Sequence, residues 1–253
     1  MSRIVVGIPT INRADLLSES LADIAAHAPY IDKLIIIDNG NQCIKIPEKI
    51  KNVEIHKPKK NQGCGGSWSM IMDLAFADKT VDHVLMPSDD VVMGKEFWSN
   101  LEQMYINYAE YDVLLPPEKL SWCVVSISRE CWETVGRFDP IFWPAYYEDV
   151  DYMHRMSLVG KEPTHTEAMR PEVWRSGQSS AINANLIGQN TMEKFLAKWG
   201  PGRLRMFKDT NSYTEPYNGD VHQQQEAAAQ GQRNIFGDIA ISWYVDGKER
   251  ETQ

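Results

Sequence analysis

The sequence predicts an α/β protein with a mostly parallel central sheet flanked by helices. Three observations predict it. The apolar segments of the first half are short and continuous rather than alternating, as in strands buried on both faces. Segments with helical spacing lie between them. Each apolar run also stops at a polar or turn-forming cluster, such as "PT", "DNGN" or "PSDD".

Taken in order, Arg3 to Ile8 ("RIVVGI") reads as a first strand closed by Pro9 and Thr10. Leu17, Leu21 and Ile24 give Ala14 to Ala26 one apolar helical face. Lys33 to Ile37 ("KLIII") is a second buried strand, followed by a turn at Asp38 to Asn41, and Val53 to His56 is a short third. "NQGCGGS" (Asn61 to Ser67) is a glycine-rich turn that opens a helix running to Ala77. His83 to Met86 is the fourth strand, Phe97 to Tyr108 a helix, and Val113 to Leu115 a fifth strand. Strands separated by helices imply right-handed βαβ units. Ligands of such sheets bind outside the carboxyl ends of the strands. Thr10, Asp38, Asn39, Asp89 and Asp90 all fall at such ends, so they are expected to converge on one crevice.

Length and charge set the outer limits. A chain of 253 residues holds one domain with an elaborated second half, and a net charge of −9 provides no general basic field for nucleic acid. Four cysteines without a CxxC pair read as reduced thiols. The opening "MSRIVVGIPTINR" lacks an apolar leader, and no run approaches the ~20 residues that span a bilayer. The expectation is a soluble cytoplasmic protein without a transmembrane segment. Residues 1–200 are expected to form the main domain, divided near 120, and 201–253 a polar C-terminal extension that includes "QQQEAAAQGQR".

Two acidic clusters could carry chemistry. Asp89 and Asp90 end a strand; two hard oxygen ligands there suit Mg2+ or Mn2+, and "SDD" suits a solvated turn or a helix N-cap equally. In "YYEDVDYMHR", Glu148, Asp149 and Asp151 crowd a helix start. A favourable interaction with the helix dipole explains them as well as a general base does. Phe142, Trp143, Tyr146 and Tyr147 beside them form either a wall for a ring-shaped ligand or plain core. The turn "NQGCGGS" matches neither GxGxxG nor a P-loop, yet its glycines permit close approach of an anion.

The motifs occur in a telling order: "GIPTINR", "IIIDNG", "KNQGCGGSWSM", "MPSDD", then "VGRFDPIFWPAYYEDVDYMHR". This series resembles the family 2-like glycosyltransferases of the GT-A fold over residues 3–156, and "KFLAKWGPG" with "TEPYN" is similar to a C-terminal pattern of some members. The resemblance implies a Rossmann-like nucleotide-sugar half (1–120) and an acceptor half (121–200). It places Pro9, Thr10, Asp38, Asn39, Asn61 and Gly63 along a nucleotide-sugar donor, UDP- or dTDP-linked. Asp90, helped by Asp89, would hold Mn2+ or Mg2+ on the diphosphate. Asp149 would be the catalytic base of an inverting transfer, with Glu148 and Asp151 in support and Arg155 orienting a carboxylate or meeting phosphate.

The first position of the acidic motif is a serine, Ser88, and Trp174-Arg175 stands where many members carry a metal-binding histidine. Arg175 is therefore expected to meet the diphosphate; His165 and His222 have no convincing context. A glycan is the favoured acceptor. A modified base in phage-type DNA is the alternative, suggested by basic patches with a tryptophan in each. A nucleotidyltransferase and a non-catalytic sugar-nucleotide-binding module are the rival classes.

Overall fold

The computed structural model describes residues 3–117, 122–175 and 191–199, plus two short strands, Trp243–Val245 and Lys248–Arg250, that pair antiparallel with each other. The predicted extension otherwise lies outside the described residues, as do "QQQEAAAQGQR", "TEPYN" and His222. Among the described residues no helix is long and apolar enough to cross a membrane.

The elements run β1 (Val5–Thr10), α1 (Ala14–His27), β2 (Lys33–Asp38), β3 (Val53–His56), α2 (Gly63–Phe76), β4 (His83–Pro87), β5 (Val91–Val92), α3 (Gly94–Asn107), β6 (Val113–Leu115), β7 (Val124–Ser128), α4 (Arg129–Val135), α5 (Glu148–Leu158), β8 (Thr164–His165), β9 (Val173–Trp174) and α6 (Thr191–Trp199). Seven strands form one sheet in the order β3-β2-β1-β4-β7-β6-β8. All of its neighbouring pairs are parallel except the two made by β7.

The continuous apolar runs are buried on both faces, as expected. Val6, Ile8, Leu34, Ile36 and Leu85 pack with α1 and α3 on one side. Val5, Ile35, Ile37, Val84 and Met86 pack with α2 and the aromatic group Trp68, Trp122, Phe138 and Tyr152 on the other. Gly7 lets α2 approach β1: a Cβ there would sit 2.1 Å from Ile71 Cγ2.

Two differences from the sequence reading matter for the site. The first strand does not stop at Pro9. It continues through Thr10, pairing Pro9 with Ile37 and Thr10 with Asp38, while β4 pairs β1 only at Val5 and Val6. Pro9 has no N–H to give, and it sits where the ladder to β4 has ended. Beyond that point β1 and β4 diverge, and chain order reverses there: β2 and β3 lie to one side, β4 to the other. That is the switch point at which a crevice opens. Second, Val124–Ser128, which the sequence left unassigned, is the antiparallel strand between β4 and β6.

Candidate functional site

Across the β1/β4 opening the Thr10 hydroxyl donates to Asp89 Oδ2 at 2.7 Å, so the ends of the two strands are tied through the acidic pair. Asp89 and Asp90 are each only 6% exposed. Burial, then repulsion from Asp89, pushes the Asp90 carboxyl up to about 6. Two arginines temper this charge. Arg13, buried at the end of the β1 turn, chelates Asp15 and is held charged partly by Asp89 and Asp90. Arg175 follows β9, which pairs with β5; its backbone N–H donates to the Asp90 carbonyl, and its guanidinium pairs with Glu19 of α1.

The turn after β2 borders the same opening. Asp38 Oδ1 accepts from the Gly40 N–H and Gln42 Nε2, and Oδ2 from the Gln42 N–H, with Lys57 Nζ at 3.4 Å. Gln42 Nε2 reaches on to the Thr10 hydroxyl, so Asp38 shapes the turn and links it to β1. Asn39 then joins this turn to the glycine-rich one: its Oδ1 accepts from the Gln62 N–H and its Nδ2 donates to Ser67. Asn61 Oδ1 accepts from the Gly63 N–H, and the Asn61 carbonyl from the Trp143 indole. Gly63 has φ +72° and lies so close to the Trp143–Pro144 segment that a Cβ would meet the Pro144 carbonyl at 2.6 Å. Only glycine satisfies both demands.

The Trp143–Pro144 segment leads to the second acidic cluster. Tyr146 and Tyr147 have φ of 77° and 72°, two successive non-glycine residues in the left-handed region. Such a pair persists only where its surroundings enforce it. Here Cys64 N–H donates to the Pro144 carbonyl, Lys194 to the Trp143 carbonyl, and Phe195 packs on Tyr147. Asp149 follows at the start of α5, half-buried, with burial raising its carboxyl above the ordinary range. Glu148 is 5% exposed, and among the described residues its Oε2 has no hydrogen-bond partner. Cys64, on the first turn of α2, feels the charges of Glu148, Asp149 and Asp89 together. Both acidic clusters therefore lie near enough to the start of α2 to act on the buried Cys64 thiol.

No family model matches the chain. A galactofuranosyl glycosyltransferase of Leishmania donovani is 29% identical over 142 residues, covering 47% of this chain and 33% of that protein. The chain thus spans about a third of that relative's length. Among solved structures, S. aureus TarS 1-349 superposes with a TM-score of 0.55 at 13% identity, over 89% of this chain and 78% of that one. A Pyrobaculum calidifontis mannosyltransferase, in complex with GDP-Man and Mn2+, gives 0.55 at 13% identity, over 92% and 76%. The chain has the GT-A fold.

On the GT-A frame, Pro9, Thr10, Asp38, Asn39, Asn61, Gly63, Asp89, Asp90 and Arg175 all border the opening or brace its rim. Asp151 and Arg155 do not. They are 0% and 1% exposed and paired with each other at 2.9 Å, and Arg155 also donates to the Val135 carbonyl. As substrate contacts both are corrected: Arg155 orients a carboxylate, that of Asp151. Of the four aromatics that could be wall or core, Phe142 is core and Tyr146 is the one well exposed, at 44%. His165 binds the Pro116 carbonyl on β8, at the sheet edge.

The sequence reading gave no role to the strut supplied by α6. Lys198 Nζ lies 2.6 Å from Asp139 and 2.7 Å from Asp151, and the Trp199 indole donates to Asp151. Burial and the neighbouring Asp151 keep Asp139 above its ordinary range, against the pull of Lys198. Burial would raise Asp151 as well, but Lys198 and Arg155 outweigh it and hold Asp151 low. The signal was present in "KFLAKWG". Its partners, however, lie 47 and 59 residues away, where local spacing carries no information.

Proposed function

We propose that the protein is an inverting, metal-assisted glycosyltransferase that moves a sugar from a nucleotide-sugar donor to an acceptor hydroxyl. The single observation that carries this reading is that two acidic clusters of different kind, Asp89 at a strand end and Glu148 with Asp149 at a helix start, both act on the buried Cys64 thiol at the start of α2. Displacement at an anomeric carbon needs both. The leaving nucleoside diphosphate carries negative charge that must be compensated, and the incoming hydroxyl must lose a proton.

Asp89 and Asp90 fit a divalent cation. Both are buried, they repel one another, and two carboxylates suit an ion that completes its shell with water and phosphate oxygens. Among the described residues no group of three His, Cys, Asp or Glu comes together to hold a metal ion. The cation, Mn2+ or Mg2+, would neutralise charge on the diphosphate. Arg175 and the turns of Asn39 and Asn61–Gly63 would line the donor. Asp149 would accept the proton of the attacking hydroxyl, and Tyr146 offers its ring face to the acceptor. A single displacement with one base on the protein inverts the anomeric centre.

A glycan acceptor agrees with the exposed Tyr146 ring three residues before Asp149. The likeness to a galactofuranosyl glycosyltransferase makes a galactofuranosyl nucleotide the first donor to try, with UDP-GlcNAc and GDP-Man, which appear with the solved neighbours, beside it. A thermal-shift panel of nucleotide-sugars with and without Mn2+ tests the reading. Stabilisation by at least one donor, larger with Mn2+ and lost in Asp90→Asn, is expected. No stabilisation by any donor would refute it.

A further inference from the structure

Three carboxyl groups are buried around the start of α5, and they are compensated unequally. Asp151 has Arg155, Lys198 and the Trp199 indole; Asp139 has Lys198 and the Ile141 N–H. Glu148 is as deep, and among the described residues no cation pairs with it. Its side chain packs over Gly65 of α2, 3.2 Å from where a Cβ would stand. The groups that face it are the Cys64 thiol from α2 and the Asp149 carboxyl from α5, with Asp89 beyond Cys64 at the end of β4. Among the described residues its Oε2 has no hydrogen-bond partner.

An ionised carboxylate in such a place would be a buried, unpaired charge beside a second one. We propose that Glu148 keeps its proton at neutral pH and, as a neutral positioning residue, leaves Asp149 the one ionised carboxylate of the pair. Asp149's role as base rests on the function proposed above; the protonation of Glu148 does not. The environments divide the pair: Glu148 packs over Gly65 of α2 and is 5% exposed, with no cation paired to it among the described residues, while Asp149 is only half-buried. Two adjacent acids pushed apart in this way take different parts in proton chemistry. Burial, then the charge of Asp149, pushes Glu148 up to about 8, and backbone N–H groups of Glu148 and Tyr146 oppose the shift without cancelling it.

During transfer the acceptor O–H bond breaks and its proton goes to Asp149. The oxygen bonds to the anomeric carbon, and the bond from that carbon to the phosphate oxygen breaks, its electron pair leaving on the diphosphate. The Glu148 proton does not move. Its loss at alkaline pH would place a second negative charge beside the base and against the departing diphosphate, so turnover should fall.

Carbon-13 NMR of protein labelled at the glutamate carboxyl tests this without any substrate. At pH 7 one glutamate signal should be that of a protonated acid, titrate near pH 8, and be missing from Glu148→Gln. Should that variant not fold, Glu148→Met serves the same assignment. Absence of a protonated glutamate at pH 7 overturns the proposal. The second readout is the pH profile of nucleotide-sugar hydrolysis. The wild type should lose about tenfold in rate per pH unit above its alkaline break, and Glu148→Gln should lack that limb whatever its absolute rate. An unchanged limb in Glu148→Gln also overturns the proposal. A protonated Glu148 in a protein that binds and turns over no donor would leave this inference standing and defeat the proposed function.

Discussion

Replacing Lys198 by methionine removes one ammonium from between two fully buried carboxyl groups, and the structure says which of them suffers. Asp151 retains Arg155 at 2.9 Å and the Trp199 indole at 2.8 Å. Among the described residues Asp139 retains the Ile141 N–H at 2.9 Å. The penalty therefore falls on Asp139. Removing one partner of a buried pair costs about 3–5 kcal/mol. Burial already holds the Asp139 carboxyl high, so it can escape part of the cost by taking up a proton, which favours about 3 kcal/mol. At roughly 2–4 °C per kcal/mol for a chain of this size, the melting temperature should drop by roughly 6–12 °C. The double variant Asp139→Asn with Lys198→Met buries no unpaired charge and should recover most of the loss. Thermal melts followed by circular dichroism measure both. The penalty of the single variant should also shrink as pH falls and Asp139 protonates. A drop under 2 °C, or a double variant no better than the single one, would refute the reasoning.

Other outcomes follow from the same geometry. Gly63→Ala forces a Cβ onto the Pro144 carbonyl at 2.6 Å with φ at +72°; it should cost on the order of 1–3 kcal/mol and weaken donor binding, read by denaturation and donor titration. Arg175→Ala should lower donor affinity about tenfold if its guanidinium meets the diphosphate; full affinity ends that role. Glu148 has a folded value of about 8 against an ordinary 4.5, so its contribution to stability is present below pH 4.5 and lost as pH rises to about 8. At about 1.4 kcal/mol per pH unit over about 3.5 units, the wild type should lose on the order of 5 kcal/mol relative to Glu148→Gln across that window. Urea melts at several pH values check it, and parallel curves for the two proteins would contradict it.

The parallel half of the sheet was legible because its information is local. An apolar run of five or six residues, a polar stop and a helix of 3.6-residue period repeat with little interference. β7 was not legible: Ser126 and Ser128 interrupt its apolar pattern, and its antiparallel place between β4 and β6 depends on partners far along the chain. The acidic pair and Asp149 could be picked out by residue type and order. Their spatial relation could not, because it depends on the braced Trp143–Tyr147 segment and on α6. Asp151 and Arg155 show the converse error. An acid and an arginine one helical turn apart look alike whether they face a ligand or each other, and only burial tells them apart.

The division of labour between the two acidic clusters is tested most directly by Asp149→Asn. With a nucleotide-sugar identified by the stabilisation panel, donor affinity in the presence of Mn2+ and turnover are measured on the same variant. Donor affinity should match the wild type, while turnover falls by about 10²–10⁴-fold, the contribution of a positioned general base. Turnover that survives in Asp149→Asn with donor binding intact would contradict the account.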